Sequence, residues 1–146
     1  MPLDCEFEQP DVRPIAKDLY RLAQEYCYCW MLGEVQNRIR IPTGYTHDGA
    51  SVPRIAWTLA GVRPDGLIRA AALVHDYVYG FAGRLPVGDH EFKRDDGSWS
   101  PVQGRWRRRD TDRLFARMMR EADVSRFRRR LAYRVVRLFG RFGWNT

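Results

Sequence analysis

The segment RAAALVHDYVYG, residues 69–80, most constrains the fold, because nine of its twelve residues are apolar, aromatic or glycine. Its apolar residues recur at helical spacing, with Asp65 as the expected N-cap and Gly80 as the end of the helix. A helix that is apolar around most of its surface belongs at the centre of a domain. Even so, His75 and Asp76 stand side by side in its middle.

His75 falls on the buried stripe of this helix, where an unpaired imidazole would cost about 1–3 kcal/mol. The later segment DTDRLFARMMREAD predicts a second helix, and Asp112 begins its apolar stripe three residues before Phe115. Each polar group needs a partner. We therefore expect a carboxylate oxygen of Asp112 to lie about 2.6–3.2 Å from one ring nitrogen of His75. The opposite nitrogen should face the 43–54 loop, near Asp48 or Ser51.

The remaining patterns predict an α+β fold, with an N-terminal β-hairpin or small antiparallel sheet packed on three to four helices. EYCYCWML and RIRIP alternate like strands on either side of the turn GEVQN. The preceding LYRLAQ is compatible with a strand or with the start of a helix. RIAWTLAG predicts a short helix, and SRFRRRLAYRVVRLFGRFGW predicts a helix capped by Ser125 with an apolar stripe of Leu131, Val135, Leu138 and Phe139.

The chain of 146 residues is expected to be one domain. Residues 1–17 hold three prolines and predict an irregular arm, and residues 18–146 predict a single globular domain with basic C-terminal helices. Residues 81–104 hold four glycines and two prolines, which predicts a long loop. No apolar run approaches the ~20 residues of a membrane span, and the acidic N-terminus lacks a signal-peptide core.

The cysteines are three, an odd number, and no two of them form a CxxC pair. This pattern argues against a disulfide framework or a zinc knuckle and favours a reducing compartment. Cys27 and Cys29 alternate, so on a strand they would face the same side as small apolar residues.

The charge is concentrated in the last third of the chain. Residues 101–146 hold 14 arginines and four acidic residues, a net charge of +10. A basic surface of this kind indicates a polyanionic neighbour, either membrane lipid or DNA, or an acidic protein. The arginines lack the aromatic-interleaved strand or recognition-helix pattern of nucleic-acid readers, so we expect protein docking.

Three motifs occur in order along the chain: THDGASVPR (Thr46–Arg54), AALVHDYVY (Ala71–Tyr79) and Asp-x-x-Phe (Asp112–Phe115). Together with the terminal YRVVRLFGRFGW, they resemble a small family of domains of unknown function found in phages and prophages. The resemblance covers about residues 36–144. It implies a phage or prophage origin and no assigned activity.

The pattern His-Asp-x-x-Tyr on a helix, followed by an Asp on a later helix, is similar to secretory phospholipase A2. That resemblance implies that His75 activates water, that Asp76 holds Ca²⁺ and that Asp112 orients His75, with Tyr79 in support. The loop TGYTHDGAS, which contains Asp48, would supply further calcium ligands.

Two other sites stay open at this point. Ser51 with His75 and Asp112 would form a nucleophilic triad, although no G-x-S-x-G elbow frames the serine, which alternatively caps the short helix after Pro53. His47, Asp48, His75 and His90 are candidate ligands for a transition metal.

These patterns favour two functions from different classes. The first is a virion-associated structural protein of the tail or tail tip, present in the virion and, before assembly, in the host cytoplasm, with other phage virion proteins as its partners. The second is a small hydrolase of lipid or other esters that uses the His75/Asp112 dyad, with or without Ca²⁺ as a cofactor.

Overall fold

The computed structural model describes residues 3–17, 19–48, 52 and 68–144. Over these residues the protein combines two antiparallel sheets with three α-helices, which confirms the predicted α+β fold with strands at its N-terminal end. Ser51, the expected short helix RIAWTLAG and the expected Asp65 cap lie outside the described residues.

The smaller sheet contains three strands in the order β1-β2-β5. Their bounds are Val12–Ala16, Leu19–Leu22 and Thr46–His47. The first strand differs from the irregular arm expected over residues 1–17. It is compatible with Pro14 because it lies at the edge of the sheet, where a missing backbone N–H breaks no ladder, and its register shifts directly after that proline. The second strand settles the ambiguity over LYRLAQ.

The larger sheet contains four strands in the order β3-β4-β6-β7. Their bounds are Tyr26–Leu32, Val35–Ile41, His90–Lys93 and Trp99–Pro101. The predicted hairpin is confirmed as β3 and β4, but its turn is shorter than GEVQN because the second strand resumes at Val35. Gly33 in this turn has φ +64°, a backbone conformation that favours glycine.

The prediction of a long loop over residues 81–104 is wrong where the chain forms strands β6 and β7. Strand β6 pairs with β4, with Ile39 opposite His90, and β7 pairs with β6. The two strands have only four and three residues, too few to show the alternation that identifies a strand in sequence.

Three helices follow at Arg69–Gly80 (α1), Arg108–Glu121 (α2) and Arg126–Phe139 (α3), and a 3₁₀ turn spans Gly140–Gly143. Helix α1 ends at Gly80, as predicted. The Ser125 hydroxyl accepts a hydrogen bond from the Arg128 N–H at 3.4 Å, which confirms the predicted N-cap of α3. No helix in the described part of the chain is long and apolar enough to cross a membrane.

One cluster of buried side chains joins the four-stranded sheet to α1 and α2. Helix α3 joins the same cluster through Ala132, Val135 and Val136. The apolar stripe predicted for α3 is therefore wrong in part, since Leu138 is 67% exposed and Phe139 is 48% exposed. The face that packs inward lies further round the helix than the predicted stripe.

The N-terminal segment runs along β3 and reaches α1. Asp4 donates its backbone N–H to the Gln36 side chain at 2.7 Å, and the Gln9 side chain accepts from the N–H of Ala70, in the first turn of α1, at 3.0 Å. This path places Cys5 beside Cys29, and the two form a disulfide with an S–S distance of 2.10 Å. The prediction against a disulfide framework is wrong for Cys5 and Cys29, because spacing along the chain does not reveal that the arm crosses the strand.

Candidate functional site

The His75–Asp112 pair joins α1 to α2 at the centre of the domain. The Nε2 atom of His75 lies 2.7 Å from Oδ1 of Asp112, and both side chains have an exposed fraction of zero. This confirms the predicted contact. Because a carboxylate only accepts hydrogen bonds, Nε2 carries the proton that bridges the two groups.

Asp112 accepts hydrogen bonds from three further donors. The Tyr79 hydroxyl donates to Oδ1 at 2.5 Å, while Arg137 donates to Oδ2 at 2.6 Å and Arg108 donates to the same oxygen at 3.4 Å. We call His75, Tyr79, Arg108, Asp112 and Arg137 the Asp112 network. With two donors on each oxygen, the carboxylate is satisfied by charged and neutral partners from all three helices.

The two arginines of the Asp112 network were not predicted from the sequence. Arg108 stands four residues before Asp112, a spacing that pairs opposite charges on a helix and offered a usable signal. Arg137 comes from α3 and gave no signal, because its contact depends on how two helices pack. Arg108 also donates to the backbone carbonyls of Val136 at 3.0 Å and Arg137 at 2.9 Å, and so satisfies acceptors at the C-terminal end of α3.

Burial and pairing fix the charges of the Asp112 network. Burial lowers the pKa of His75, and the hydrogen bond to Asp112 opposes that effect only in part. Burial alone would raise the pKa of Asp112, but the hydrogen bonds from His75, Tyr79 and Arg137 outweigh it and hold that pKa below its usual value. At neutral pH the site therefore contains a neutral imidazole and a carboxylate beside two guanidinium groups.

This arrangement stabilises the packing of three helices. A general base must reach the proton that it removes, and solvent does not reach the imidazole of His75. Tyr79 contributes its hydroxyl to the carboxylate, and burial raises the pKa of that hydroxyl. Ser51 lies outside the described residues, so its contact with the second ring nitrogen stays a prediction.

The two residues expected to hold calcium, Asp48 and Asp76, both act electrostatically on His47. Asp76 is half-buried and Asp48 is exposed. The two carboxylates favour the charged form of the buried His47, but burial outweighs them and lowers its pKa. In the described parts of the chain, no group of three converging His, Cys, Asp or Glu ligands contains either aspartate. Calcium binding stays a prediction.

The four candidate ligands of a transition metal do not converge among the described residues. His75 belongs to the Asp112 network, and the Nε2 atom of His90 instead pairs with the side-chain oxygen of Asn37 at 2.9 Å. His90 also stacks on Trp30, with 5.4 Å between ring centroids, and burial lowers its pKa to about 4. A neutral His90 is therefore part of an aromatic cluster.

That aromatic cluster forms part of the floor of a surface cavity of about 680 Å³, a volume typical of ligand sites. We call it the arginine-rimmed cavity. Its apolar and aromatic lining includes Trp30, Leu32, His90, Val102 and Trp106, and its charged lining comprises Arg105, Asp110, Arg113, Arg117, Arg120 and Arg129. Five cations against one carboxylate make the rim strongly positive, so the cavity favours an anion that also carries apolar surface.

The sequence offered a partial signal for this cavity. Arg113, Arg117 and Arg120 recur at helical spacing and thus lie on one side of α2. The floor could not be found in the same way, because Trp30 comes from β3, His90 from a strand that sequence analysis missed, and Trp106 from the segment before α2.

Comparison with known proteins gives one match. A family model described as "Protein of unknown function (DUF1353)" matches residues 20–136, which is more than half of the chain. No curated protein and no solved structure matches the chain.

Proposed function

Because the chain belongs to the DUF1353 family, whose function is unknown, we propose a function from its own geometry. The protein is a virion-associated structural protein of a phage or prophage, at the tail or tail tip. Its arginine-rimmed cavity docks an acidic, partly apolar segment of another virion protein. The phage origin is supported by the three ordered motifs from Thr46 to Phe115.

The observation that carries this proposal is the separation of the Asp112 network from the arginine-rimmed cavity. None of the residues that line the cavity belongs to the network. Within the network His75 and Asp112 are sealed from solvent, whereas the cavity opens between exposed residues such as Arg113 and Gln103. The accessible surface is thus suited to binding, and the buried polar residues are suited to holding the fold together.

The chemistry of the cavity favours a protein segment over nucleic acid. The exposed Leu32 and the partly buried Val102 add aliphatic surface that would receive apolar side chains. Beyond the cavity, α3 and the turn after it expose Phe127, Leu138 and Phe142 among arginines, and exposed apolar side chains of this kind mark protein contacts. Acidic side chains would pair with the arginine rim and set the partner's orientation.

Binding of an acidic amphipathic peptide, measured by fluorescence anisotropy against a salt series, tests the docking surface. The double variant Arg113→Ala/Arg120→Ala should weaken binding by about tenfold or more, since each alanine removes a rim cation. The matched control Arg126→Ala/Arg130→Ala removes two exposed arginines that do not line the cavity and should bind as the unaltered protein does. Tighter, sequence-independent binding of a DNA oligonucleotide at physiological salt would overturn the proposal.

The hydrolase interpretation is tested by His75→Ala. In the proposed structural role, this change leaves Asp112 buried without one of its donors and should lower the free energy of unfolding by about 3–5 kcal/mol. Urea denaturation measures that loss, and an ester-hydrolysis assay with and without Ca²⁺ runs beside it. An unchanged melting temperature with loss of hydrolysis, reproduced by Ser51→Ala or Asp76→Asn, would replace the structural role with a catalytic one.

A further inference from the structure

Three sulfur atoms meet on the outer side of the four-stranded sheet. Cys27 and Cys29 project from the same side of β3, and Cys5 arrives from the N-terminal segment. The Sγ atom of Cys27 lies 2.9 Å from that of Cys5, and all three Sγ atoms are within 4.8 Å of one another. In the part of the chain that the structure describes, this is the one group of three His, Cys, Asp or Glu ligand atoms that converges so closely.

A single disulfide needs only two of these cysteines. The Cys5–Cys29 bond fastens the N-terminal segment to β3, yet Cys27 places its thiol against the same bond. Thiolates bind soft, thiophilic cations, with a Zn–S distance of about 2.3 Å that sets three ligating sulfurs roughly 4 Å apart. The three sulfurs all lie within 4.8 Å of one another, so after the disulfide is reduced a shift of about 1–2 Å would let them surround one ion.

The surroundings suit a site with excess negative charge. Arg38 stands opposite Cys29 and Arg40 stands opposite Cys27 in the register of β3 and β4. Both guanidinium groups also contact Glu91, at 2.8 Å from Arg38 and 3.1 Å from Arg40, which holds them in place on the sheet. Three thiolates around a monovalent or divalent cation leave a net negative charge that these arginines would balance.

We propose that reduction of the Cys5–Cys29 disulfide turns Cys5, Cys27 and Cys29 into a three-thiolate site for one thiophilic cation, Zn²⁺ or Cu(I). A dithiol reductant supplies two electrons and two protons to the disulfide and is itself oxidised to a disulfide. The cation then displaces the protons of the three thiols, which leave to solvent. Zn²⁺ would keep a fourth position for water, whereas Cu(I) would be held by the three sulfurs alone.

Metal titration of the full chain tests this site. Reduced, desalted protein is titrated anaerobically with ZnCl₂ in competition with a chromophoric zinc chelator, and separately with Cu(I) in competition with a Cu(I) chelator. One equivalent of at least one ion should bind. Cys27→Ser should weaken that binding by more than about 100-fold. Removing a residue that only hydrogen-bonds to a metal ligand already lowers affinity by about 10–100-fold, and removing a ligand itself should lower it further.

Two controls separate metal binding from folding. Air-oxidised protein keeps its disulfide and should bind neither ion, because two ligands are consumed. Oxidised Cys27→Ser should melt at the temperature of the oxidised unaltered protein, since Cys27 takes no part in the disulfide. Equal binding by the reduced protein and by Cys27→Ser, or no binding of either ion by the reduced protein, would overturn the proposal.

Discussion

At the scale of single residues, the carboxylate of Asp112 is the point on which the centre of the domain depends. It is fully buried and accepts from side chains of all three helices. A buried charge is tolerated only when it is paired and hydrogen-bonded, and here both oxygens meet that condition. His75, on the other side of the contact, must be neutral, because burial disfavours its charged form.

This pairing predicts how stability depends on pH. The pKa of His75 is lower in the folded protein than its ordinary value of 6.5, so below pH 6.5 the unfolded chain binds more protons and the free energy of unfolding falls. The contribution of Asp112, whose pKa is also lowered, is lost at more acid pH, as the pH falls from 3.8 through the folded-state value. Urea denaturation between pH 8 and pH 5 should show stability declining below about 6.5.

The variant His75→Gln shows how much of this decline in stability is due to His75. Burial also lowers the pKa of His47 and of His90, so these residues give a slope of the same sign. The difference between the unaltered protein and His75→Gln isolates the share of His75, and we expect the variant to have the shallower slope. Equal slopes would show that His75 is not the buried neutral group described above.

At the scale of helices and strands, the elements that could be predicted are those determined by the residue pattern within one segment of the chain. The apolar segment before Gly80 and the cap at Ser125 locate two helices, and the reciprocal need of His75 and Asp112 predicted their contact. Strand β6 was missed because it is short and pairs with a strand distant in the chain. The disulfide of Cys5 and the contact of Arg137 were missed for the same reason, since both depend on packing between distant segments.

Helix α3 gives a direct test of which apolar residues dock. Val136 is completely buried, so Val136→Ala should lower the free energy of unfolding by about 2 kcal/mol through lost apolar contact and the cavity left behind. Leu138 is 67% exposed, and Leu138→Ala should change it by less than about 0.5 kcal/mol. Chemical denaturation of both variants checks the assignment, and the reverse order would restore the stripe predicted from sequence.

The turn after α1 contains a glycine at which any side chain would be strained. Gly83 has φ +81°, and a Cβ atom there would lie 2.3 Å from the backbone oxygen of Trp106. Gly83→Ala should therefore cost about 1–3 kcal/mol from the backbone conformation, with the steric contact in addition. A Cβ atom at Gly80, at the end of the same helix, would meet no atom within 4 Å apart from the adjacent residues and the backbone of its own helix.

The matched variant is Gly80→Ala, which should leave stability unchanged or raise it by up to about 1 kcal/mol, because alanine is the better helix former. Thermal melts of the two variants give the comparison. If Gly83→Ala melted at or above the temperature of Gly80→Ala, the close approach of Trp106 to this turn would be wrong.

At the scale of the whole molecule, the arginine ties between α2 and α3 make separate unfolding of α3 unfavourable. Helix α3 buries only three side chains, so by area alone it would open and close independently of the rest. However, Arg137 donates to Asp112, and Arg108 donates to two carbonyls at the end of α3. Opening α3 would leave a buried carboxylate without its strongest ionic partner, which also weakens the contact to α1.

The three helices should therefore behave as one cooperative unit in native-state hydrogen exchange. Amides in the last turns of α1 and α3 should exchange with similar free energies and with the same dependence on denaturant, as members of one unit do. Arg137→Ala should uncouple them, so that α3 alone begins to exchange at low denaturant. Helix α3 would then depend for its folded state on Arg137, the arginine of this helix that reaches a buried carboxylate. The exposed arginines on its outer surface would not be needed for folding, so they could be substituted to suit different binding partners.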